Sequence, residues 1–171
     1  MTDKGALYTP NGVNYTEAAS TTSWETVVPL SARSGVNHRV MRGLIPYDKW
    51  LGVVASKELA IFTPPSGTAI VVRDCWLDVA TTFNGGTPTL DVGHSLDGDA
   101  FLDGVSLDVA GVVGDESSDK GDEFKDPQTP IVGTGKADSV TATMKVGTGD
   151  LDANTQGAVW VYLEIIEFDP A

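Results

Sequence analysis

The chain is poor in the residues on which most site chemistry is built. Cys75 is the single cysteine among 171 residues, so neither an intrachain disulfide nor a cysteine-ligated zinc cluster is open to it. His38 and His94 are the only histidines, and no G-x-S-x-G nucleophile elbow accompanies them. Cations are scarce: 11 Lys and Arg stand against 24 Asp and Glu, a formal net charge of −13. Nucleic acid and anionic lipid are disfavoured partners for such a surface, because affinity for both comes largely from Lys and Arg. No apolar run approaches the ~20 residues of a membrane span. The opening MTDKGALYTPNG lacks the basic and apolar regions of a signal peptide. Synthesis in the cytosol is therefore expected.

What is present is enough for one folded domain: 41% of residues are hydrophobic. With 19 Gly, 9 Pro and few long-chain helix formers, the composition leans toward an all-β domain. The charge is unevenly placed. Residues 1–60 hold six cations and five anions, whereas residues 61–171 hold five cations and nineteen anions, nets of +1 and −14 that sum to −13.

Residues 1–57 read as an N-terminal arm with little regular structure, rich in Thr, Asn and Ser and without a sustained period of 3.6 or 2. The arm nevertheless carries Tyr8, Tyr15, Trp24, Tyr47 and Trp50, a costly composition to leave in water. It also holds the basic run SARSGVNHRVMRGL (31–44), in which no acid interrupts Arg33, Arg39 and Arg42. Arginine makes forked contacts to carboxylates and stacks on rings, so it suits an interface. The same arginines could equally pair with the chain's own acids. Trp24, Arg33, Arg39, Arg42, Tyr47 and Trp50 are the candidate partner-binding residues. Segment 44–51, LIPYDKWL, reads as a short turn or helix.

Residues 58–171 read as an antiparallel β-sandwich or jelly-roll-like domain. ELAIFT (58–63) ends at Pro64-Pro65-Ser66-Gly67, and TAIVVRDCWLDVATTF (68–83) is long enough to bend or bulge partway. TPTLDVG (87–93) and DAFLDGVSLDVAGVV (99–113) follow, and an acidic loop spans 114–130. In 138–147, Val140, Ala142, Met144 and Val146 share a face; in 157–168, Val159, Val161, Leu163 and Ile165 do. Leu-Asp-Val recurs at 77–79, 90–92 and 107–109, which reads as three strands with Asp on the wet side.

Little in this pattern points to catalysis. Asp97, Asp99 and Asp103 are close in sequence but do not fit a calcium-loop spacing, so solvated turn acids are expected, with no metal or cofactor. Cys75 is expected to be a buried, inert thiol, and each histidine to be solvated or locally hydrogen-bonded. Gly133-Thr134-Gly135 and Gly147-Thr148-Gly149 lack the Gly-Lys-Ser/Thr ending of a phosphate loop and read as turns. The expectation is a binding protein, not an enzyme.

Segment 87–113 resembles a pattern of small structural proteins of tailed-phage virions. Its matching pieces are Leu90-Asp91-Val92-Gly93, Asp97-Gly98-Asp99-Ala100-Phe101-Leu102 and Ala110-Gly111-Val112, and GAVWVYLEIIEF is similar to their closing strand. His94 departs from the small or acidic residue of the pattern. The resemblance implies a capsid cement or decoration protein: a β-sandwich, often trimeric, on the outside of the virion head, with the major capsid protein as partner. A tail- or neck-associated component is the neighbouring expectation. A carbohydrate-binding module is an alternative of another class, with Trp76, Trp160 and Tyr162 as candidate sugar-stacking rings.

Overall fold

The computed structural model describes residues 24–33, 36–124, 130–132 and 138–169. They form ten strands: β1 (Trp24–Arg33), β2 (Val36–Pro46), β3 (Ser56–Phe62), β4 (Ala69–Thr81), β5 (Pro88–His94), β6 (Asp97–Ser106), β7 (Gly111–Val113), β8 (Ile131–Val132), β9 (Val140–Val146) and β10 (Ala158–Phe168). Short 3-10 turns lie at Tyr47–Lys49, Asp122–Phe124 and Leu151–Ala153. No helix among the described residues is long and apolar enough to cross a membrane.

Every pairing is antiparallel. One sheet, sheet A, runs β1-β2-β10-β4-β7 with β8 also on β4; the other, sheet B, runs β3-β9-β5-β6. Their inner faces meet in one apolar core, and the chain is an all-β sandwich, as its composition and turn spacing lead one to expect. The two cleanest alternations lie at its centre. Val159, Val161, Leu163 and Ile165 of β10 are wholly buried, and so are Val140, Ala142 and Met144 of β9.

The expected arm of residues 1–57 needs correction over its second half. Trp24–Pro46 is a β1–β2 hairpin, and β2 is an internal strand that pairs with β10 along its full length from Val36 to Pro46. Met41 and Ile45 of β2 are core residues. Residues 1–23, with Tyr8 and Tyr15, lie outside the described residues. β2 hides its period because Arg and His stand on both of its faces, answered by carboxylates on β1 and β10.

Three smaller readings also change. β4 bulges between Val72 and Asp74, opposite Glu164–Ile165 of β10, so the inward parity flips there. Ile70 and Val72 point inward before the bulge, and Cys75, Leu77 and Val79 after it. Val71 is thereby turned outward, although a strict alternation through 68–83 would put it on the same side as Cys75. Of the three Leu-Asp-Val triplets, 77–79 behaves as expected. Asp91 is instead buried, bonded by the Gly104 amide and Lys145, and 107–109 is a turn after β6. Gly104, at φ +69, takes the left-handed conformation that brings its N–H onto Asp91.

The sheet borders are blunted. β1 carries Pro29 and two register shifts. β3 shifts register between Ala60 and Phe62, and its Ile61 carbonyl accepts the Trp24 indole N–H. On β6, Gly121 N–H bonds Phe101 O and Asp103 N–H bonds Asp119 O, both at 3.0 Å, so the 119–121 segment covers that border. β7 and β8 are only three and two residues long. Bulges, prolines, covering loops and short strands are the devices by which sheets avoid pairing with other chains.

Candidate functional site

The two outer faces of the sandwich differ in chemistry. On sheet A, the strand registers align outward-facing residues in rows. Leu44, Trp160, Asp78 and Val112 form one row, and Glu25, Arg42, Tyr162 and Trp76 the next. The Trp76 and Tyr162 rings stack with centroids 5.2 Å apart and planes 11° from parallel. The Arg42 guanidinium lies 4.3 Å from the Trp160 ring centre, a cation–π contact. Arg42 also donates to Glu25 and, at 3.4 Å, to the Tyr162 hydroxyl. These two bonds, the Tyr162 one first, hold the guanidinium above its usual pKa.

Further along the same face, His38 Nε2 meets Glu164 Oε1 at 2.7 Å. At the bulge, Asp74 receives the Lys120 ammonium, which also donates to the Cys75 carbonyl. Arg42, Arg73 and Lys120 therefore stand against Glu25, Asp74, Asp78 and Glu164, a net of −1 with His38 neutral. The result is a nearly neutral, ring-bearing surface whose charges are largely paired within the chain.

Sheet B presents the opposite. Asp91, Asp99 and Asp103 act on Lys145, and the strands of the same sheet also carry Glu58 and Asp97, a net of −4 over these six residues. Lys145 is held above its usual pKa, chiefly by its bond to Asp91 and then by the attraction of Asp91, Asp99 and Asp103. Asp97 is pushed up, first by a hydrogen bond shared with Asp99. No group of three or more His, Cys, Asp or Glu among the described residues has the arrangement to hold a metal ion.

The six candidate partner-binding residues separate under this geometry. Arg42 alone lies squarely on the outer face of sheet A. Trp24 is half-buried, edge-on to Phe62 at 5.6 Å, with its indole N–H spent on the Ile61 carbonyl of β3. It closes the seam between the sheets. Tyr47 packs partly buried against the core. Trp50 is wholly buried and cannot touch a partner, because the turn after β2 folds it under the loop that leads to β3. Arg39 is buried on the inner side, 2.6 Å from Glu167. Burial pushes both groups toward their neutral forms, lowering Arg39 and raising Glu167, while their mutual attraction opposes this. The Arg33 side chain lies outside the described residues.

Trp76, Trp160 and Tyr162, the three rings singled out as sugar-stacking candidates, do come together on this face. The parity of β10 and the half of β4 after its bulge was the signal that placed them on one side. Asp78, Glu164 and His38 complete the surface and were not picked out, because their roles depend on cross-strand register. Cys75 is wholly buried and burial raises its thiol pKa. His94 is buried against Phe101, and its Nδ1 accepts the Leu96 N–H inside the β5–β6 turn.

No protein-family model matches this chain, and no curated protein matches it. Among solved structures, a chain of the cyanophage Pam1 capsid asymmetric unit is similar over 92% of this chain and 100% of its own, at 14% identity and a TM-score of 0.45. At that identity and score the likeness assigns no role to this chain.

Proposed function

We propose that this chain is a structural protein of a tailed-phage virion that seats on the outside of the assembled capsid and holds neighbouring capsomers together, as a trimer. It acts by binding and not by catalysis, and its partner is the major capsid protein. The inequality of the two outer faces carries this reading. The acidic face of sheet B keeps copies apart and soluble before assembly. The nearly neutral face of sheet A carries half-buried rings and arginine, the residue types favoured where proteins meet. The virion assignment itself rests on the resemblance of residues 87–113.

The mechanism is mass action. A protein that binds the assembled shell and not its separated subunits favours the shell, and repeated copies across the lattice add avidity. The test is sedimentation of the full chain with shells assembled from the major capsid protein of the same phage. The double variant Trp160→Ser/Tyr162→Ser should lose at least tenfold in occupancy while still unfolding in one cooperative transition. Wild-type occupancy in that variant would refute the docking face, and failure of wild type to bind would refute the capsid role. Copy number separates head from tail: near-stoichiometric abundance with capsid protein fits a cement, and scarcity fits a tail or neck part. Light scattering gives the oligomer.

The meeting of Trp76, Trp160 and Tyr162 favours one further reading, a carbohydrate-binding face. Stacking uses one ring face each of Trp76 and Tyr162, and Arg42 covers Trp160. Little flat aromatic surface is left for a sugar ring. A glycan array with and without calcium distinguishes the two: specific glycan retention that the double variant abolishes would displace the capsid reading.

A further inference from the structure

Of the four carboxylates on the outer face of sheet A, three are answered from within the chain. Glu25 accepts from Arg42, Asp74 accepts from Lys120, and Glu164 meets His38 at 2.7 Å. Asp78 is the exception: among the described residues its side chain has no hydrogen bond and no ion pair. It is nonetheless half-buried, the third of the outward residues in the row Leu44, Trp160, Asp78 and Val112. Neighbouring strands lie about 4.8 Å apart, so the Trp160 ring and the Val112 side chain flank this carboxylate. Arg42, the cation of the adjoining row, is spent on Glu25, the Tyr162 hydroxyl and the Trp160 ring.

A carboxylate so placed is stable only while water still reaches it. A protein seated over Trp160 and Val112 strips that water, and an unpaired charge is too costly to bury. The docked surface must therefore bring a cation to this point. Lysine and arginine suit it, because their apolar stems can lie along Val112, which is 60% exposed, while the charged head meets the carboxylate. A second copy is a poor source of that cation. Each chain carries a formal net charge of −13, so copies repel on approach. The exposed Arg73 of another copy could reach Asp78 only by bringing two such chains face to face.

Resting on the capsid reading given above, we propose that Asp78 is the recognition carboxylate of the ring-bearing face and receives a lysine or arginine side chain of the capsid protein. Leu44, Trp160 and Val112 supply the contact area around it, and the ion pair fixes the register of docking. The isosteric Asp78→Asn variant keeps the shape and removes the charge, so it should unfold as wild type does. In sedimentation of the full chain with shells of the major capsid protein of the same phage, its affinity should fall at least tenfold. Added salt should weaken its binding less steeply than that of wild type. Asp150→Asn, which removes one charge from an exposed turn, should bind as wild type does.

If wild type binds shells and Asp78→Asn binds equally well, the recognition role is wrong and the capsid reading stands. If wild type does not bind, both fall. An equal loss in Asp150→Asn would assign the effect to net charge and overturn the proposal. Light scattering in which both Asp78→Asn and Arg73→Gln dissociate a wild-type oligomer would overturn it too, since the cation would then come from a second copy.

Discussion

Replacing Ile45 by alanine asks whether β2 is core or arm. Ile45 is wholly buried, pairs with Val159 of β10 and belongs to the central apolar cluster. Stripping a buried Ile to its Cβ costs roughly 2–5 kcal/mol, the transfer of the lost carbons plus the cavity they leave. Taking about 3 kcal/mol, and about 2–4 °C per kcal/mol for a domain of this size, the melting temperature should fall by roughly 6–12 °C. Val53→Ser, at a site 78% exposed, is the matched control and should change stability by no more than about 0.5 kcal/mol. Urea and thermal unfolding followed by tryptophan fluorescence would measure both, with an unchanged urea slope as the check that the same surface unfolds. An Ile45→Ala loss below about 1 kcal/mol would mean that β2 is not held by the core, and the argument would fail.

Further outcomes follow from other parts of the molecule. Glu167→Ala removes the 2.6 Å carboxylate acceptor of the buried Arg39 and should cost roughly 1.5–3 kcal/mol in chemical unfolding, as for a hydrogen bond to a charged group; a loss under ~1 kcal/mol would show that the pair is hydrated. Asp97 is raised in the folded chain, first by the hydrogen bond it shares with Asp99, so the folded state holds that proton more tightly than the unfolded one. Its contribution is fully present below the ordinary aspartate value and is lost as pH rises through the folded value, so Asp97→Asn should flatten that part of the stability–pH curve. An unchanged curve would refute the shared proton. Gly93→Ala would put a Cβ 2.1 Å from the Asp97 carbonyl oxygen, and the shift this forces should cost about 1–3 kcal/mol, with wild-type stability the refuting result. Cys75, buried with a raised thiol pKa, should resist a thiol reagent at pH 8 until denaturant is added; labelling within minutes in native buffer would contradict its burial.

The sandwich was legible where burial is one-sided and apolar. β9 and β10 alternate so cleanly that their inner faces can be assigned from the sequence, and the turn chemistry at Pro64–Gly67 and Asn84–Gly86 bounds β4. β2 was not legible. Its inner positions include Arg39 and Gly43, its outer ones His38 and Arg42, and the carboxylates that neutralise them lie on β1 and β10. A one-dimensional period cannot show a charge answered on another strand, for His38 and Arg39 more than a hundred residues away. The β4 bulge misleads in a similar way: one extra residue reverses which side Val71 faces, and only the partner strand reveals it. For the candidate site, the three rings were legible as residues, but their meeting depended on the register of β4 against β10. Trp50 was misread because an aromatic beside a turn looks the same whether it points out or in.

The blunted strand borders have a consequence for counting. A bare border recruits a copy whose own border recruits the next, so growth by strand addition has no natural end. Here the borders are kinked, capped or too short, and contact is left to surfaces that saturate once filled. Such a molecule can be made in large excess and still occupy each seat once, without running on into a fibre.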